Sequence, residues 1–108
     1  MYGKRMICMF LSCVFLIGTM QLPANTKVRA NNSFPLAAGE TITIKASYSP
    51  FSASVDIGVI APDGNFYFFT ITGGSIDETI QVSESGDYTL QIRNNSSSEI
   101  QVAGFVNY

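Results

Sequence analysis

The chain has 108 residues, room for one domain, with six Lys and Arg, eight Asp and Glu, and no His. Both cysteines, Cys8 and Cys13, lie near the start. The rest of the chain therefore has no disulfide, no thiol nucleophile, no Ser–His or Cys–His pair and no histidine or thiolate metal site.

Lys4 and Arg5 precede an apolar run over residues 6–20, which Gln21-Leu22-Pro23-Ala24-Asn25 interrupts. This is the order of a secretory signal peptide. Val28-Arg29-Ala30 puts a small residue last and a compact apolar one two before it, so cleavage is expected after Ala30. Residues 1–30 are then the leader and residues 31–108 a single secreted domain. A membrane anchor is disfavoured because a spanning helix needs about 17–25 apolar residues. A lipoprotein is disfavoured because the apolar run continues past Cys13. Cleavage leaves Lys45 and Arg93 against all eight carboxylates, a net charge of −6, and no membrane association in the mature form. So little positive charge disfavours nucleic acids and anionic membranes as partners. At 78 residues without a disulfide, the domain depends on dense packing or self-association.

Residues 31–38 form a lead-in with Phe34 and Leu36 as core contacts on either side of Pro35. In residues 41–48, Ile42, Ile44, Ala46 and Tyr48 alternate with Thr41, Thr43, Lys45 and Ser47, the period of a half-buried strand. Pro50 and the serines around it predict a loop. A short strand follows at residues 55–60 with Val55, Ile57 and Val59 inward. Ala61-Pro62-Asp63-Gly64-Asn65 is the strongest turn, with proline setting φ and Asp-Gly tolerating positive φ.

Residues 66–72 are a strand of aromatic and β-branched residues. Gly73-Gly74-Ser75 turns the chain, and residues 76–82 return with Ile76, Ile80 and Val82 on one side. In Ser85-Gly86-Asp87-Tyr88-Thr89-Leu90-Gln91-Ile92, a polar turn leads into alternation with Tyr88, Leu90 and Ile92 inward. An acidic residue, Gly and then Tyr before a core position is the pattern of a tyrosine corner, which predicts a Tyr88 hydroxyl bonded to backbone a few residues upstream. Residues 99–108 place Ile100, Val102, Gly104, Val106 and Tyr108 on one face and Gln101, Ala103, Phe105 and Asn107 on the other.

Six strands, closely spaced turns and no helix after Ala30 predict an all-β fold, a small antiparallel β-sandwich with Greek-key or jelly-roll-like connections. A small barrel is the alternative.

Ala38-Gly39-Glu40-Thr41-Ile42-Thr43-Ile44, Val55-Asp56-Ile57-Gly58-Val59-Ile60-Ala61-Pro62-Asp63-Gly64, Asp77-Glu78-Thr79-Ile80 and the Ser85 to Ile92 stretch together resemble the bacterial pre-peptidase C-terminal (PPC-like) domain family. The resemblance implies a non-catalytic sandwich of the kind found on secreted enzymes, some members binding calcium and some polymeric substrates. The 108 residues depart from the family's pattern in that no enzyme domain is expected among them and a lone Asp56 stands where members often pair two aspartates.

No residues make a catalytic set, so no enzyme activity is expected. Asp77 and Glu78 are adjacent and point to opposite faces of a strand, which is wrong for a cooperating carboxylate pair. Asp56, Asp63, Asn65, Asp77 and Glu78 could supply calcium ligands if their turns converge, but without dense ligand spacing they read better as solvated turn and edge residues. No cofactor or metal is expected. Asn31-Asn32-Ser33, Asn94-Asn95-Ser96 and Asn95-Ser96-Ser97 match the glycosylation acceptor pattern and are read as turn residues.

The aromatic residues carry the functional expectation. In Phe66-Tyr67-Phe68-Phe69, pleating sends Phe66 and Phe68 one way and Tyr67 and Phe69 the other. With Phe51 from the loop and Phe105 from the last strand, Phe66 and Phe68 are the candidate interaction surface. The competing reading is that they fill a core on both faces of a central strand. The expected function is a non-catalytic binding module for an extracellular polymer or protein. The alternative is a structural protein that self-associates as a homo-oligomer.

Overall fold

A computed structural model describes residues 14–108. The described chain forms eight strands: β1 (Val14–Leu22), β2 (Lys27–Leu36), β3 (Thr41–Ser49), β4 (Ser54–Ile60), β5 (Phe66–Thr72), β6 (Ser75–Gln81), β7 (Gly86–Asn94) and β8 (Ile100–Asn107). They make two four-stranded antiparallel sheets, ordered β1-β8-β3-β6 and β2-β7-β4-β5. The first half of the chain thus pairs with the second in reverse order: β1 with β8, β2 with β7, β3 with β6 and β4 with β5. This is a ribbon rolled on itself, the topology of a jelly roll, and it selects among the predicted sandwiches.

The ribbon's tip is the expected turn. The Gly64 N–H donates to the Ala61 carbonyl at 2.9 Å, the Ala61 N–H donates to the Asn65 carbonyl at 2.9 Å, and Gly64 adopts φ +87°. That is the three-residue hairpin in which the left-handed position favours glycine.

Between the sheets lie the inward residues of every strand whose side chains are described. β3 contributes Ile42, Ile44 and Tyr48, β4 Val55, Ile57 and Val59, β7 Tyr88, Leu90 and Ile92, and β8 Ile100, Val102 and Val106, all buried. Phe34 and Leu36 are buried as expected, and the Phe34 ring stacks on Tyr108 with centroids 4.7 Å apart. The six predicted strands match β3 to β8 within a residue or two at each end.

One strand and the start of a second lie within the residues expected to form the leader. The boundary predicted between Ala30 and Asn31 falls inside β2, and residues 14–30 supply β1 and the first part of β2. Leu22 is fully buried, and Val28 and Ala30 pack against the core. An apolar stretch of this length suits a leader or a buried strand alike. Lys4, Arg5, Cys8, Cys13 and the first part of the apolar run lie outside the described residues.

Candidate binding surface along β5

β5 is an edge strand, paired on one side with β4 from Ser54↔Thr72 to Ile60↔Phe66 without a register break. Tyr67, Phe69 and Ile71 stand opposite Val59, Ile57 and Val55 and so face inward; Phe66, Phe68 and Thr70 face outward. The predicted pleat is therefore the observed one. Inward is not buried here, however: Tyr67 is 49% exposed and Phe69 37%, beside 45% for the outward Phe68. β5 overhangs the edge of the sandwich, where the facing sheet ends at β6, so both faces of the strand reach solvent.

On the outer face Phe66 and Phe68 stack, with ring centroids 4.7 Å apart and planes at 25°. Their platform depends on Gly58, which lies opposite Phe68. A Cβ at Gly58 would come within 1.9 Å of the Tyr67 carbonyl oxygen and 2.6 Å of Phe68 Cα. Only glycine lets β5 approach β4 this closely. A shallow groove of ≈ 350 Å³ runs along the strand, lined by Phe66, Tyr67, Phe68, Phe69 and Ile80. A second groove of ≈ 190 Å³ opens between the sheets beside it, with Asp63, Tyr67, Ile80 and Tyr88 among its lining residues.

Polar groups border the platform. Asp56, opposite Thr70 and Arg93, accepts from Thr70 Oγ1 at 2.7 Å, Arg93 Nη2 at 3.1 Å and Arg93 Nε at 3.3 Å. Burial alone would push its carboxyl up, but hydrogen bonds from Thr70, Asn95 and Arg93 outweigh that and hold it below the usual carboxylate range. Arg93 remains 45% exposed on this face. At the tip, the Tyr67 hydroxyl and the Asn65 N–H donate to Asp63 at 2.7 and 2.8 Å and hold that carboxyl low as well.

These pairings account for most of the suggested calcium ligands. Asp56 is committed to Thr70 and Arg93, Asp63 to Tyr67 and Asn65, and Asp77 stands opposite Lys45 on the other sheet. Among the described residues no three His, Cys, Asp or Glu side chains come together to hold an ion.

The four residues of the expected interaction surface do not form one patch. Phe66 and Phe68 share the outer face of one sheet. Phe105 sits on β8 opposite Lys45, on the outer face of the other sheet, so the thickness of the sandwich separates it from them. Among the residues whose side chains are described, Phe51 is the most exposed large apolar one, at 73%, and its carbonyl accepts from the Gly73 N–H at 3.2 Å. Gly73 is five residues beyond Phe68, so Phe51 stands about 17 Å along the strand from that ring.

Tyr67 and Phe69 face inward by the pleat and still reach the surface. The absence of charge from residue 66 to residue 72 was the available signal. Asn94, read as a turn residue, is fully buried: its Nδ2 donates to the carbonyls of Leu22, Pro23 and Ser98, and its Oδ1 accepts from the Ser96 N–H and hydroxyl.

No family model matches the chain, and no curated protein matches it. Solved structures do resemble it. The periplasmic inhibitor of g-type lysozyme PliG from Aeromonas hydrophila is similar with a TM-score of 0.61 and 16% identity over 89% of this chain and 84% of that one. Carbohydrate-binding module CBM36, solved with calcium and xylotriose, gives a TM-score of 0.46 and 14% identity over 86% and 91%. A family two carbohydrate esterase from Cellvibrio japonicus gives 0.42 and 11% over 90% of this chain and 34% of that one. At 16% identity the likeness to the lysozyme inhibitor is one of fold alone.

Proposed function

We propose that the chain is a secreted, non-catalytic binding module that holds an extracellular polymer or protein on the outer aromatic platform of β5. The observation that carries this reading is the stacked Phe66–Phe68 pair, with Phe68 half exposed and built over a glycine that tolerates no side chain. Aromatic rings kept in water at such a cost in apolar exposure fit a surface that is covered by a ligand. At the platform's border Arg93 has guanidinium N–H groups beyond those turned to Asp56, and Thr70 Oγ1, whose proton goes to Asp56, can accept. This suits a ligand that pairs apolar faces with polar edges, as a sugar polymer does. The likeness to the lysozyme inhibitor shows the shared sandwich alone, and that protein's name records a binding task on such a scaffold.

Retention on insoluble polysaccharides tests the reading. Wild-type protein should be held by at least one such polymer, and the Phe66→Ala, Phe68→Ala double variant should be released from it while keeping its circular dichroism. Equal retention of the two proteins would refute the platform. The PPC-like resemblance and export by cleavage after Ala30 belong to the same proposal. The intact mass of the secreted protein tests the cleavage: a mass starting at Asn31 supports it, and one retaining Leu22 overturns it.

A further inference from the structure

In the chain that keeps residues 14–30, the four sheet edges are not protected alike. β2 carries Lys27, Arg29 and Pro35 and breaks register between Arg29 and Ser33. β6 carries Asp77 and Glu78, and β1 breaks register between Leu16 and Gly18. Charges, proline and bulges are the devices that keep an edge strand from pairing with another chain. β5 has none of them: Phe66-Tyr67-Phe68-Phe69-Thr70-Ile71-Thr72 is uncharged, free of proline and in unbroken register.

We propose that β5 pairs antiparallel with β5 of a second copy of this chain, joining their β2-β7-β4-β5 sheets into one. The backbone defines the register. Ala61 and Asn65 are hydrogen-bonded partners at the hairpin, so along the β4–β5 ladder Tyr67, Phe69 and Ile71 turn their N–H and C=O groups toward β4. Phe66, Phe68, Thr70 and Thr72 turn theirs to the open edge. A two-fold axis at Phe69 sets these four against one another, Phe66 opposite Thr72 and Phe68 opposite Thr70 of the second copy. On the inner face the same axis sets Tyr67 opposite Ile71 and Phe69 opposite Phe69.

Every such pair is aromatic with β-branched or aromatic with aromatic, the cross-strand combinations that stabilise antiparallel sheets. No carboxylate of the strand meets its own copy, which matters for an acidic chain. The exposed halves of Tyr67, Phe68 and Phe69 and the strand's backbone bury about 800 Å² in total, below the ~1,200 Å² of a standard interface. The dimer is therefore reversible and concentration-dependent. It closes after two copies, since the pairing consumes the unguarded edge. Nothing in it depends on whether the outer face holds a ligand.

Analytical ultracentrifugation of the full chain tests the pairing. The wild-type weight-average mass should rise from monomer to dimer with concentration. Phe69→Glu and Phe69→Lys should each stay monomeric, because the axis sets each new charge against itself, and an equimolar mixture should recover the dimer. A wild type monomeric throughout, a dimer untouched by both variants, or a mixture that stays monomeric would overturn the proposal. Amide hydrogen exchange on the wild type needs no variant. The Phe68 and Thr70 amides should slow about tenfold when about nine-tenths of the protein is paired, with β6 amides unchanged. Exchange independent of concentration would equally refute it.

Discussion

The Tyr88 hydroxyl donates to the Glu84 carbonyl oxygen at 2.6 Å, closing a loop of four residues at the start of β7. Tyr88 itself is 3% exposed, and burial pushes its hydroxyl pKa up. The bond pins the polar turn to a ring in the core and so sets where β7 begins. Tyr88→Phe keeps the ring and leaves the Glu84 carbonyl without its partner. It should cost about 1–2 kcal/mol, a fall in Tm of about 5–10 °C. Retention on any polymer ligand should be unchanged at a temperature where both proteins are folded.

Gly58→Ala should be more damaging than truncating the aromatic ring beside it. The added Cβ meets backbone of β5 that cannot swing aside, so the β4–β5 ladder must open. Urea unfolding should show a loss of about 3 kcal/mol or more, against about 1 kcal/mol for Phe68→Ser on the half-exposed face. A Phe68→Ser variant that fails to fold would instead place that ring in the core.

Asp56 makes stability depend on acid. Its carboxyl is held below the ordinary 3.8, so its ionised form favours the folded state. That contribution is complete above the unfolded value and drains away as pH falls through the lower folded value. Thermal unfolding of the wild type should therefore weaken below about pH 4. Asp56→Asn should be less stable at neutral pH by about 1–2 kcal/mol and show a flatter profile in acid. Parallel curves for the two proteins would show that Asp56 contributes nothing to the acid limb.

Leu22 and Asn94 test what residues 14–30 contribute to the sandwich. Leu22 is fully buried, and its carbonyl accepts from the Asn94 side chain at 3.2 Å. In the full chain, Leu22→Ala should cost about 2–5 kcal/mol by the cavity it leaves. A chain beginning at Asn31 loses Leu22 and Val28 from the core and removes two of the three carbonyl acceptors of Asn94 Nδ2. It should unfold at markedly lower denaturant concentration than the full chain, and equal midpoints would show that β1 and the first part of β2 add no stability.

The strands from β3 to β8, the tip at Asp63-Gly64 and the Tyr88 corner were legible in the sequence because each depends on neighbours within a few residues. Alternation of Ile42, Ile44 and Tyr48 with polar residues names a strand and its buried face whatever lies across from it. The candidate site was legible only in part. Pleating correctly paired Phe66 with Phe68 and Tyr67 with Phe69, but exposure depends on what faces a strand. That is decided by the sheet order, which leaves β5 overhanging an edge with both faces wet. The same order puts Phe105 on the opposite sheet and gives Asp56 the Arg93 guanidinium of β7. It also lays residues 14–30 along β8 and β7. Local pattern determined which residues form strands and which way they point; only long-range pairing decided which strand stands at the edge, because that follows from partners far apart in the chain.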